Sequence, residues 1–185
     1  MKPKLIVING PLGIGKSTLA KRYADEHPLT LLLDIDELWA MLSHWREEKE
    51  VSSPLSKQMA MAMARINLNT GHDVVIPQIL QTIELAESFE QLAKECSAEF
   101  YEILLFVDKE ESIRRFISRG KAQGHPTGFR EEGIIANSGR EKKLAAMYDA
   151  MMSAAESRPL VIRIEPILNN IDETYKVLLK NLNQA

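Results

Sequence analysis

The chain has 185 residues, with 23 Lys+Arg against 26 Asp+Glu for a net charge of -3, and is 45% hydrophobic and 26% charged. This balance is ordinary for a globular protein: it argues against disorder or collagen-like repeats and offers no overall positive field for a nucleic-acid backbone. The single cysteine, Cys96, excludes an internal disulfide and a cysteine-built zinc site, and reads as a buried or half-buried helix thiol.

Short apolar runs alternate with longer segments of helical period, the pattern of an α/β protein with a parallel sheet. The first run, Leu5 to Ile8, predicts a strand that enters the glycine-rich stretch Gly10 to Gly15. A helix from Lys16-Ser17 to about Glu26 follows and is stopped by Pro28. The second strand is Thr30 to Leu33, and a helix from about Asp36 to Glu48 comes after it. Ser52-Ser53-Pro54 is expected to break the chain before a third helix that reaches Gly71. Met59 and Met63 lie at helical spacing there and are expected to fill the core, with an adaptable acceptor lining as the alternative.

Val74 to Ile76 is the third strand, and Ile83 to Ser97 is an amphipathic helix with Leu85, Phe89, Leu92 and Cys96 near one stripe. The fourth strand is Ile103 to Val107. Asp108 and Glu111 resemble a capping box that opens a helix to Arg119, stopped by Gly120. Residues 120–139 hold Gly120, Gly124, Gly128, Gly133 and Gly139 and read as a mobile lid, with Lys121, His125 and Arg130 as possible lid contacts. A helix from about Arg140 to Ser157, a fifth strand from Leu160 to Ile164 and a closing helix from Asp172 to Leu182 complete the order. No window approaches the roughly 18 apolar residues of a spanning helix, and the first run is too short for a signal peptide. The expectation is one cytoplasmic domain over residues 1–185, without membrane contact and of open oligomeric state.

Gly10-Pro11-Leu12-Gly13-Ile14-Gly15-Lys16-Ser17-Thr18 fits the P-loop pattern G-x-x-x-x-G-K-[ST], set between a strand and a helix as its mechanism requires. Glycines let successive N–H groups turn inward as an anion nest, and the helix N-terminus adds its positive end. Gly10, Leu12, Gly13, Ile14, Gly15, Lys16, Ser17 and Thr18 are therefore the candidate contacts to the phosphates of a nucleotide. Lys16 would charge-match the β- and γ-phosphates, and the Ser17 hydroxyl suits Mg²⁺.

Asp34 and Asp36 follow the second strand, at the sheet edge where ligands bind, and their alternate spacing lets both point one way. Asp34 would hold a water of the Mg²⁺ shell, and Asp36 would take or orient the proton of an acceptor hydroxyl. Asp36 also suits the N-cap of the next helix. Arg115 and Arg119, four apart on one helix face, are candidates to neutralise charge on the transferred phosphoryl group, and otherwise complement the helix dipole. Trp39 and Gln78 are acceptor-side candidates. His27, His44 and His72 have no metal-ligand spacing.

Gly10 to Thr18, the Asp34-x-Asp36 pair and Arg115-x-x-x-Arg119 before a glycine-rich segment resemble the small P-loop kinases, among them shikimate kinase, gluconate kinase, chloramphenicol phosphotransferase and polynucleotide kinase. The resemblance implies a three-layer α/β/α fold with a five-stranded parallel sheet in the order 2-3-1-4-5. It also implies transfer of the ATP γ-phosphoryl group to a hydroxyl, with the lid arginine and the Glu165-Pro166-Ile167 loop near adenine. Trp39 stands where polynucleotide kinases have an arginine, and Gln78 stands near the place of a phosphate-gripping arginine in nucleoside monophosphate kinases. A neutral hydroxyl compound such as a sugar acid, metabolite or antibiotic fits these departures better than a phosphorylated or nucleic-acid acceptor. The alternatives are a nucleotide or polynucleotide 5′-kinase and an ATP-binding module without catalysis.

Overall fold

The computed structural model describes residues 2–122, 140–167 and 170–183. Its five strands are β1 (Lys4–Asn9), β2 (Leu31–Leu32), β3 (Val74–Pro77), β4 (Glu99–Leu105) and β5 (Ile162–Ile164). They form one parallel sheet in the order β2-β3-β1-β4-β5, the order implied by the resemblance. The helices are α1 (Lys16–Glu26), α2 (Ile35–Ala40), α3 (Lys49–Asn69), α4 (Ile83–Glu95), α5 (Lys109–Ala122), α6 (Arg140–Glu156) and α7 (Ile171–Asn183).

Alternation along β1 divides its side chains between the two faces. Leu5 and Val7 pack with Ala64 and Leu68 of α3 and Phe89 and Leu92 of α4. Ile6 and Ile8 pack with Leu19 of α1 and Leu178 of α7. Both faces are thus covered, which is why the runs that form β1, β3 and most of β4 are continuously apolar. Leu104 meets Met151 and Ala155 of α6 on the side of Phe100 and Glu102.

Several boundaries differ from those expected. The second helix stops at Ala40, and turns fill the stretch to α3. Pro54 does not break the chain but sits inside α3. A proline there removes only the N–H that would meet the carbonyl of Glu50, an exposed residue near the helix start where water can serve. The buried stripe of α3 is Ser52, Ser56, Ala60, Ala64 and Leu68, so small residues let the helix approach the sheet. Met63 faces outward instead of filling the core, and Met59 is only half-buried. Gly120 does not end α5, which stays helical to Ala122, since a single glycine weakens a helix by about 1 kcal/mol without forbidding it. Glu111 does not complete a capping box: its carboxylate pairs with Arg115 at 2.6 Å and with Arg114. Leu160 lies outside β5 and is exposed. Residues 123–139, which carry most of the expected lid with His125 and Arg130, lie outside the described residues. Among the described residues no helix is long and apolar enough to cross a membrane.

Candidate functional site

Because all five strands run the same way, their C-terminal ends share one edge, the loops leaving β1, β2 and β3 open there, and those after β1 and β3 are hydrogen-bonded to each other. The β1 loop is Gly10 to Gly15, with positive φ at Gly10 (149°), Gly13 (77°) and Gly15 (108°). At Gly10 the chain passes so close to β4 that an added Cβ would lie 2.7 Å from the Leu105 carbonyl oxygen. Gly15 in the left-handed conformation precedes α1 and contributes no side-chain cap. The first turn of α1 therefore presents backbone donors and a positive dipole end at the loop.

Lys16 is buried, and its Nζ donates to the carbonyl oxygens of Gly10 at 2.8 Å and Pro11 at 2.9 Å. The ammonium thus lies across the concave loop, held by the loop's own oxygens. Ile14 points into the core, and its N–H reaches the Pro11 carbonyl at 3.4 Å. Leu12 and Ser17 are half-buried, and Thr18 is exposed. A crevice of about 10 Å³ separates Pro11 and Leu12 from Phe116 of α5 and from Leu144 and Tyr148 of α6.

The two aspartates sit at the expected edge, but neither is in a strand. Asp34 is the N-cap of α2, accepting the Asp36 N–H at 3.0 Å. The cap role considered for Asp36 thus belongs to Asp34, and Asp36 lies half-buried in the first turn of α2. Trp39 lies one turn further along the same helix side. Its indole N–H donates to Ser52 Oγ at 2.7 Å, and that hydroxyl donates to the Trp45 carbonyl at 2.8 Å. The two indoles contact at 4.9 Å between centroids. Trp39 therefore braces α2 against α3.

Gln78 follows β3, and its backbone N–H donates to the Ile8 carbonyl at 3.1 Å, beside the start of the phosphate loop. Its Oε1 is buried and has no hydrogen-bond partner among the described residues. Arg115 Nε is engaged with Glu111, and Arg114 is largely exposed. Arg119 lies on α5, four residues beyond Arg115, but its side chain is outside the described residues. The Ile167 N–H of the loop after β5 donates to Thr174 Oγ1 at 2.9 Å. Tyr23 stacks on His27, with ring centroids 3.9 Å apart.

Asn9 and Glu102, both buried polar groups behind the loop, are not among the residues that the motifs single out. Glu102 is a lone charge between apolar neighbours, but a fourth strand expected to start at Ile103 leaves it outside, whereas β4 begins at Glu99. Asn9 stands one residue ahead of the motif.

A family model described as AAA domain matches residues 5–136. No curated protein matches the sequence. Solved structures share the fold at low identity. A protein of Chloroflexus aurantiacus j-10-fl, provisionally described as a kinase, gives a TM-score of 0.66 at 19% identity, covering 98% of this chain and 97% of that one. Shikimate kinase from Acinetobacter baumannii, in complex with shikimate, gives 0.58 at 14% identity, with 98% and 93% covered. A chain of the Pnkp1/Rnl/Hen1 RNA repair complex gives 0.64 at 16% identity; the match covers 90% of this chain but only 50% of that one.

Proposed function

The chain belongs to the AAA domain family, and from that premise we propose that it is an ATP-dependent phosphotransferase acting on a hydroxyl of a small molecule. Its loop and sheet order are those of the P-loop kinase fold, which implies nucleotide binding. The acceptor would be a sugar acid, a metabolite or an antibiotic.

The observation that carries the acceptor reading is Gln78. Its backbone N–H is bonded to the Ile8 carbonyl beside the phosphate loop, and its uncharged amide can donate to or accept from a hydroxyl. A phosphate at this place would need a cation, which an uncharged amide does not supply.

In this reading the N–H groups from Gly13 to Thr18 cradle the β- and γ-phosphates, and Lys16 leaves its two carbonyls to meet them. Asp36 takes the proton of the acceptor hydroxyl as its oxygen forms the new bond to the γ-phosphorus. The bond from that phosphorus to the β–γ bridging oxygen breaks, and ADP leaves. Arg119, with Arg115 behind it, offsets the charge spread over the transferred oxygens. A Mg²⁺ ion fits the hard oxygens of Ser17 and, through a water, Asp34. Among the described residues no cluster of three His, Cys, Asp or Glu builds a cage, so the ion would share its shell with the phosphates, whose charge it neutralises.

Asp36→Asn tests the catalytic assignment. The expected outcome is ATP affinity within about twofold of the parent and phosphoryl transfer reduced at least roughly a hundredfold, the usual size of a general-base contribution. Unchanged transfer would remove Asp36 from the mechanism. Loss of ATP affinity would give it a binding role instead.

A further inference from the structure

A chain of polar groups leads from the phosphate loop along the α4 face of the sheet. Asn9, 0% exposed, ends β1. Its Oδ1 accepts the N–H of Gly10 at 2.8 Å and the N–H of Leu80 at 3.0 Å. Its Nδ2 donates to Glu102 Oε1 at 3.3 Å. Glu102, 3% exposed in β4, accepts on its other oxygen from Arg158 Nε at 2.7 Å. Arg158 then reaches Glu90 of α4 at 3.0 Å. It also lines a cavity of about 470 Å³ with Phe100, Leu160 and Val161.

The direction of each bond matters. An asparagine amide has one accepting and one donating end. Two backbone N–H groups, one from the phosphate loop and one just past Gln78, need the same oxygen. Reversing the amide would set its NH₂ against both. Glu102, with an accepting oxygen facing the Nδ2, holds the amide in the working orientation. Arg158 supplies the charge that makes a carboxylate tolerable inside the sheet. Fold stability is a poor reason for this arrangement, because a buried ion pair seldom outperforms apolar residues of similar volume.

We propose that Glu102 and Arg158 are positioning residues for phosphotransfer. Through Asn9 they hold the phosphate loop and the Gln78–Leu80 segment in one fixed relation, so that nucleotide and acceptor meet at the right separation. Neither residue touches either substrate. The inference rests on the phosphotransferase reading above.

The test is a double-mutant cycle in the full chain with Asn9→Ala and Arg158→Met, two residues that share Glu102 as a hydrogen-bond partner. ATP affinity is read by titration calorimetry and folding by thermal melting. Each single change should weaken ATP binding about fivefold, and the double variant should bind no more weakly than either single one. Arg158→Lys, which keeps the charge but only part of the fork, should recover part of the loss. Melting temperatures that fall while affinity stays at the parental value would overturn the inference, as would effects that simply multiply. If Arg158→Met does not fold, Arg158→Lys and Glu102→Gln carry the same comparison. Parental protein that binds no ATP refutes the phosphotransferase reading and this one with it. Binding lost in Lys16→Ala but untouched in Arg158→Met refutes this inference alone.

Discussion

Gly10→Ala separates close approach from backbone strain at the phosphate loop. The added Cβ would lie 2.7 Å from the Leu105 carbonyl oxygen and 3.1 Å from Ile14 Cγ2, at a φ of +149°. Both partners are buried, one of them backbone, so the loop itself must shift. Gly71 is the matched control: its φ is +85°, and nothing lies within 4 Å of its added Cβ. Strain alone should cost Gly71→Ala about 1–2 kcal/mol. Gly10→Ala adds overpacking of about 1–3 kcal/mol, for a total of about 2–5 kcal/mol. That is a large share of a typical stability of about 5–15 kcal/mol. Urea unfolding measures both costs. Because Asn9 holds the Gly10 N–H and Lys16 holds its carbonyl, the same shift should weaken ATP binding at least about tenfold, while Gly71→Ala leaves it unchanged. Equal destabilisation of the two variants, or full ATP affinity in Gly10→Ala, would refute the reasoning.

Other outcomes follow from the same geometry. Without nucleotide, Lys16→Met should lower stability by about 1–3 kcal/mol in urea, since the Gly10 and Pro11 carbonyls lose a charged donor. Ser52→Ala should cost about 1–3 kcal/mol in the same assay and red-shift tryptophan emission, because its hydroxyl joins Trp39 to the Trp45 carbonyl from a buried position. The Glu90 carboxyl is held below its ordinary value of 4.5, first by the hydrogen bond from Lys94 and also by Arg158, against the opposing effect of burial. A carboxyl lowered on folding contributes stability that is complete above its unfolded value and fades as pH drops through the folded one. Melting temperature should therefore fall below about pH 4.5, and less steeply in Glu90→Gln.

The fold was legible where the pattern is strict. Leu5 to Ile8 and Val74 to Ile76 are buried on both faces, and a run without polar interruption can form little else in an α/β chain. The phosphate loop was legible because glycine, lysine and serine at set spacing have a shared mechanical reason. The α2–α3 region was less so. Its helix break was expected at Pro54, but the stretch from Met41 to Glu48 makes the break, and His44 adopts a φ of +55° there without any glycine to announce it. The methionines of α3 misled because apolar spacing does not fix phase: Ala60 and Ala64 allow a closer approach to the sheet than Met59 and Met63 would. The polar chain behind the loop was invisible as a whole, since Asn9, Glu102 and Arg158 meet only through the order of the strands.

The central claim is tested most directly by ADP release from Mg·ATP across hydroxyl acceptors: sugar acids, shikimate, nucleosides, aminoglycosides, chloramphenicol and 5′-hydroxyl oligonucleotides. Lys16→Ala runs beside the parent as the control for contaminating ATPase. Release that depends on a neutral small-molecule acceptor and disappears in the variant is the predicted result. Stimulation by oligonucleotides alone, or tight ATP binding with no stimulation by any acceptor, would contradict it.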